Sequence, residues 1–109
     1  MMNQLIMQAL RDISIPVSFM EYSGDESNYI IFSTIGSNEF QYEDDNPTAE
    51  EYRVALTLWY KDFEFINKIR EIKKCMKDNG FSFLNGKDLK DDDYYGYAMV
   101  FYYCKNIEE

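Results

Sequence analysis

The sequence predicts an α+β domain, a mainly antiparallel sheet of about four to five strands with two helices packed on it in the order α-β-β-β-α-β-β. Three stretches carry that expectation. Tyr52, Val54, Leu56, Leu58 and Tyr60 alternate with Arg53, Ala55, Thr57, Trp59 and Lys61, the two-residue period of a strand with one apolar face. Phe65, Ile69, Ile72 and Met76 repeat at helical steps, with Ile66 flanking and Lys68, Lys73, Lys74 and Lys77 largely on the remaining surface. Tyr97, Met99, Phe101 and Tyr103 then alternate with Ala98, Val100, Tyr102 and Cys104, a long aromatic strand partly buried on both faces.

The other elements follow from local signals. Leu5, Ile6, Ala9, Leu10 and Ile13 have helical spacing, and Pro16 biases the residue before it away from the helical region, so a short amphipathic helix opens the chain. Residues 17–22 and 29–35 are rich in β-branched and aromatic residues and flank Ser23-Gly24-Asp25-Glu26, which predicts two strands joined as a hairpin. From Gly36 to Glu51 the chain is polar and acidic around Phe40 and Tyr42, and is expected to form a long, flexible acidic loop or extended arm. Asp62 is placed to cap the second helix, and Asn79-Gly80 to stop it with Phe81 folding back on its last turn. Residues 81–84 read as a further strand, set off from the last by Asn85-Gly86 and the acidic run Asp88 to Asp93.

At 109 residues there is room for a single domain, here residues 1–109. Apolar residues make up 46% of it, more than a disordered chain carries, so it should fold. Twenty acidic residues against eleven basic ones give a net charge of -9, which opposes a direct grip on DNA or RNA and on anionic membranes. Cys75 and Cys104 form no C-x-x-C pair and read as free thiols that fill small apolar gaps. The start lacks the basic region of a secretory leader, and no stretch approaches membrane-spanning length, which points to a cytosol-like compartment.

Usual catalytic parts are missing. There is no histidine, which removes Ser-His and Cys-His nucleophile systems and nearly all zinc sites. Neither glycine-rich phosphate motif occurs, so no nucleotide cofactor is expected. Glu43-Asp44-Asp45 and Asp91-Asp92-Asp93 lack the spacing of a calcium loop and read as solvated charges, so no metal is expected either. The tyrosines from Tyr94 to Tyr103 lack the basic groove of a single-strand stacking platform and suit a core or an oligomer interface better.

Several runs resemble a known family. Pro16-Val17-Ser18-Phe19-Met20-Glu21-Tyr22-Ser23-Gly24-Asp25, then Ala55-Leu56-Thr57-Leu58-Trp59, residues 72–81 and Ala98-Met99-Val100-Phe101-Tyr102-Tyr103 are similar to small tail-gene proteins of phages and prophages of Gram-positive bacteria. These resemble tail completion, tail-to-head joining and tail terminator proteins. The resemblance implies a structural virion protein: a homo-oligomeric ring, commonly a hexamer, at the head-proximal end of the tail, contacting the tail tube protein and the head connector or head-completion protein. DNA would pass through it without sequence-specific binding, and no reaction would be catalysed. The family fixes no site residues. From the residues themselves, an arm carrying Glu39, Phe40, Tyr42, Glu43, Asp44 and Asp45 and an edge near Tyr95 and Tyr97 are the candidate interfaces. The acidic balance also fits an inhibitor, an immunity protein or DNA mimic that occupies a basic partner, and third a carboxylate-dependent metal enzyme.

Overall fold

The alternation at residues 52–60 belongs to the middle of a five-stranded sheet. The computed structural model describes residues 2–43 and 46–106, with side chains placed for 2–40 and 49–105. Helix α1 (Met2–Ala9) precedes strands β1 (Val17–Phe19), β2 (Asn28–Glu43) and β3 (Asn46–Tyr60). A 3-10 turn (Phe63–Ile66) leads into helix α2 (Asn67–Asp78), and β4 (Ser82–Asp91) and β5 (Tyr94–Asn106) complete the order. The architecture is α+β, with strand order β1-β2-β3-β5-β4 and every pairing antiparallel except that of β1 with β2.

Both helices lie on one face of the sheet because only that face is apolar enough to reward cover. Ile30, Phe32, Val54, Leu56, Leu58, Met99 and Phe101 pack there against Ile6, Leu10, Ile13, Ile72 and Met76, each at most 2% exposed. Burying a side chain of this kind is worth about 1.5–3 kcal/mol, which makes this cluster the main source of stability. Helix α1 is shorter than its apolar spacing suggests, yet Leu10 and Ile13 still reach the core through a turn in which Ile13 N–H donates to the Leu10 carbonyl at 3.1 Å.

The start and stop of α2 follow their sequence signals closely. Asp62 accepts from Glu64 N–H at 3.0 Å and so caps the 3-10 turn that feeds the helix. At the other end Phe81 N–H donates to the Met76 carbonyl at 3.0 Å and Gly80 N–H to that of Lys77 at 3.1 Å. This double closure needs a left-handed residue, supplied by Gly80 at φ +94°. Phe81 is thereby buried against the core.

Three expectations are corrected. Residues 17–22 and 29–35 do not form a hairpin: β1 stops at Phe19 and runs parallel to β2, with Val17 opposite Ile30 and Phe19 opposite Phe32. At Met20, φ is +67° and Glu21 N–H donates to the Phe19 carbonyl at 2.8 Å, a three-residue turn that ends the strand and sends the chain back to begin β2 beside β1's own start. The stretch from Gly36 to Glu51, expected as a long loop or extended arm, is not a loop over its described residues but an arm of paired strand, in β2 as far as Glu43 and again in β3 from Asn46. Its backbone groups pair with each other and, from Ala49 inward, with β5, whatever the polarity of the side chains. Likewise the acidic run from Asp88 stays in β4 to Asp91, and only Asp92 and Asp93 turn, Asp92 at φ +51°.

Candidate assembly surfaces

Because β1 covers only the Ile30 to Phe32 part of β2, and β4 ends opposite Tyr102, the far parts of β2, β3 and β5 continue alone as a three-stranded arm. It stretches the molecule to 53 × 24 × 23 Å, with a radius of gyration of 15.3 Å. A compact domain of this size would have a radius near ~13 Å. Among the described residues no strand neighbours the outer edge of β2 beyond Phe32 or that of β5 beyond Tyr102.

Glu39 lies on the arm directly opposite Glu50, and Phe40 opposite Ala49. Facing like charges across a ladder are unfavourable. Glu50 accepts from the Tyr52 hydroxyl at 2.7 Å, and burial together with this bond pushes the Tyr52 pKa up to about 12. Glu51 accepts from Tyr102 at 2.9 Å, and that bond raises Tyr102 likewise to about 12. Phe40 is half-buried beside Ala49, while Ile35, at the register shift in β2, is left 55% exposed. The backbones of Tyr42 and Glu43 pair with Pro47 and Asn46, but their side chains lie outside the described set, and Asp44 and Asp45 lie outside the described residues altogether.

Tyr95 and Tyr97 are not on an edge. Strand β5 sits between β3 and β4, so Tyr95 is flanked by Tyr60 and Lys90, and Tyr97 by Leu58 and Asp88. The apolar run that suggested an edge is apolar because the strand is central. Both tyrosines nevertheless reach the surface, in a groove between α2 and β4. A hollow of about 530 Å³ is lined by Ile66, Asn67, Ile69, Arg70, Lys73 and Tyr97. A neighbouring one of about 440 Å³ shares Ile66 and is walled by Tyr60, Phe63, Asp88, Lys90 and Tyr95. Tyr97 leans across Gly86, where a Cβ would come within 2.3 Å of its hydroxyl. Lys73 Nζ lies 4.2 Å from the Phe83 ring centroid and 5.6 Å from that of Tyr97, and Lys90 Nζ 5.1 Å from that of Tyr95. Phe63 and Ile66 are 59% and 45% exposed on the rim.

Charge is divided between these regions. Eight of the eleven basic residues lie between Lys61 and Lys90, in and around α2 and β4, against five of the twenty acidic ones. Among the described residues the only ion pairs are Lys68 with Glu71 and Lys74 with Asp78, which leaves Arg70 and Lys73 without a carboxylate within 4.0 Å. The bias along the chain was available in the sequence as a signal for this groove, as was Ile66, which stands outside the apolar stripe of α2.

The face of the sheet away from the helices is half-open. Trp59 lies flat over Gly96 there, and Tyr22 stacks on Tyr29 at 4.4 Å with Tyr94 edge-on at 5.6 Å. Cys75 is half-buried against the core, and burial pushes its thiol pKa up. Cys104 is exposed, so it fills no apolar gap as had been expected. Among the described residues no group of three or more Cys, Asp or Glu side chains is placed to hold a metal ion, and no helix is long and apolar enough to cross a membrane. No protein-family model matches the chain, and no curated protein matches it.

Proposed function

We propose that this protein is a structural subunit that assembles into a ring closing the tail tube of a long-tailed phage and joining it to the head connector, and that it performs no catalysis. The observation that carries this reading is the arm. A ribbon that stretches the molecule to 53 Å, with outer backbone edges that no other strand covers among the described residues, is poorly rewarded in an isolated domain. Ordering its backbone costs about 1–2 kcal/mol per residue, and along β2 the side chains from Thr34 to Glu39 are all exposed, so little burial offsets that cost there. Such an element is rewarded when another chain packs on it or extends its sheet. The resemblance of the Pro16 to Asp25, Ala55 to Trp59 and Ala98 to Tyr103 runs to tail completion proteins supports the same assignment, and the net charge of -9 suits a conduit to which DNA does not adhere.

An acidic inhibitor would use its net charge against a basic partner, but from Lys61 to Lys90 eight cations outnumber five acids, an uneven distribution that suits association of like copies better than mimicry of a polyanion. The test is negative-stain electron microscopy of the purified protein, alone at high concentration and mixed with tails lacking their head-proximal cap. Rings of uniform diameter seated on tube ends are expected. A protein that stays monomeric at all concentrations and binds neither tubes nor connectors would sink the proposal.

A further inference from the structure

We propose that the acidic arm of one copy docks in the groove between α2 and β4 of the next copy, so that each subunit carries both halves of one head-to-tail contact. This rests on the ring assignment above and specifies its interface.

The two surfaces complement each other in charge and in apolar content. On the arm, Glu39 and Glu50 face each other with no cation within 4.0 Å of either among the described residues. In the groove, Arg70 and Lys73 have no carboxylate within that distance. Lys105 stands level with Glu50 and Asp88 lines the adjoining hollow, yet among the described residues neither forms an ion pair with these groups, so each side offers two unpaired charges of one sign that the other would neutralise. Each also exposes apolar groups: Ile35 at 55% on the arm, Phe63 and Ile66 at 59% and 45% beside the groove. Apolar centres with charged rims are the usual make-up of a specific interface.

Geometry makes the occupant a second copy. Tyr95, in the groove, and Lys105, level with Glu50 on the arm, are ten residues apart on one continuous strand, or roughly 34 Å at strand rise. The sheet between them is fully paired, so the arm cannot fold back into its own groove. Two different patches at opposite ends of one rigid body make a heterologous contact, which propagates from copy to copy and closes into a ring when the rotation per step allows.

The test uses two charge-reversed proteins, Arg70→Glu with Lys73→Glu, and Glu39→Lys with Glu50→Lys, analysed by sedimentation velocity and native mass spectrometry beside the parent. Far-UV circular dichroism checks that each is folded. Each variant alone juxtaposes like charges at the contact and should associate at least about tenfold more weakly than the parent. Mixed in equal amounts, the basic arm meets the acidic groove and the acidic arm the basic groove, so assembly returns, with the two variants alternating. Parent-like assembly by either variant alone, or loss that mixing does not restore, overturns this contact while leaving the ring assignment standing. Intact rings that no longer seat on tail tubes would assign the groove to the tube protein and overturn the proposal in the same way. A parent that forms no ring and caps no tail overturns both.

Discussion

Replacing Gly96 with alanine should destabilise the protein, although alanine is ordinarily the better residue in a strand. A Cβ at this position would lie 2.8 Å from two carbons of the Trp59 ring. Carbon atoms rest at about 3.5–4.0 Å, so the ring would have to retreat by roughly 0.7 Å or more. Overpacking of this kind costs about 1–3 kcal/mol. The removal of glycine's extra backbone freedom returns about 0.5–1 kcal/mol. Trp59 is only half-buried and can tilt outward, which keeps the cost below the top of that range, at about 2 kcal/mol, and the net loss at about 1 kcal/mol. Trp59 is the only tryptophan, so its fluorescence reports the site directly in urea unfolding. The midpoint should fall by roughly 0.3–1 M, and the native emission should shift to the red as the ring meets water. In a Trp59→Ala background, followed by circular dichroism, the same glycine substitution should become stabilising. Unchanged emission with equal or higher stability, or an equal loss in both backgrounds, would refute the steric account.

Three further outcomes follow from the packing. Phe101→Ala empties a fully buried site in the middle of β5 and should cost about 3–5 kcal/mol in chemical denaturation, enough to unfold a marginal domain. Gly80→Ala forces a Cβ onto a backbone at φ +94° with Tyr103 3.3 Å away, and should lower stability by about 1–2 kcal/mol through strain at the end of α2. Tyr52 and Tyr102 titrate near about 12 in the folded chain against an ordinary value of 10.0. Between those limits the unfolded chain binds fewer protons than the folded one, so stability is fully present below pH 10 and falls as pH rises toward 12. Thermal melts across that window should show the fall, and Tyr52→Phe with Tyr102→Phe should lessen it, the upward-shifted Tyr29 and Tyr60 retaining a part.

How far the fold was legible depended on whether a segment buries a face. Residues 52–60 and 95–104 pack one face on the helices, so burial wrote a period of two into them and both strands were evident. The limits of α2 were equally plain, because a cap and a left-handed stop have specific side-chain requirements, met by Asp62 and Gly80. The outer part of the arm has no such requirement. With both faces largely outside the core, Asn38 and Glu39 are acceptable strand residues, and only the aromatic alternation of Phe40 and Tyr42 hinted at extended backbone. Lys87 to Asp91 were obscured similarly, since an edge strand tolerates charge on both faces. The parallel pairing of β1 and β2 left no trace in composition, for it is decided by backbone geometry at Met20, a residue type with no preference for positive φ. Of the candidate interface residues, those on the arm were found through composition, and Tyr95 and Tyr97 through an apolar run whose central position could be seen only in three dimensions.

The signs of the charges also explain why such an arm would not simply pair with its own kind. An open strand edge is a general template for another strand, and two arms meeting edge to edge would form the isologous dimer that most easily pre-empts a ring. Here an encounter through the open edge of β2 brings Glu39 of one copy against the same edge of the other, with Glu50 and Glu51 one strand behind it and Lys105 one strand further. The repulsion is screened over about 8 Å at physiological salt and so acts mainly at contact, where the wrong pairing would form. A groove bearing Arg70 and Lys73 meets the same carboxylates with attraction. The facing glutamates that weaken the free arm thus select between two modes of association, disfavouring arm against arm and favouring arm against groove.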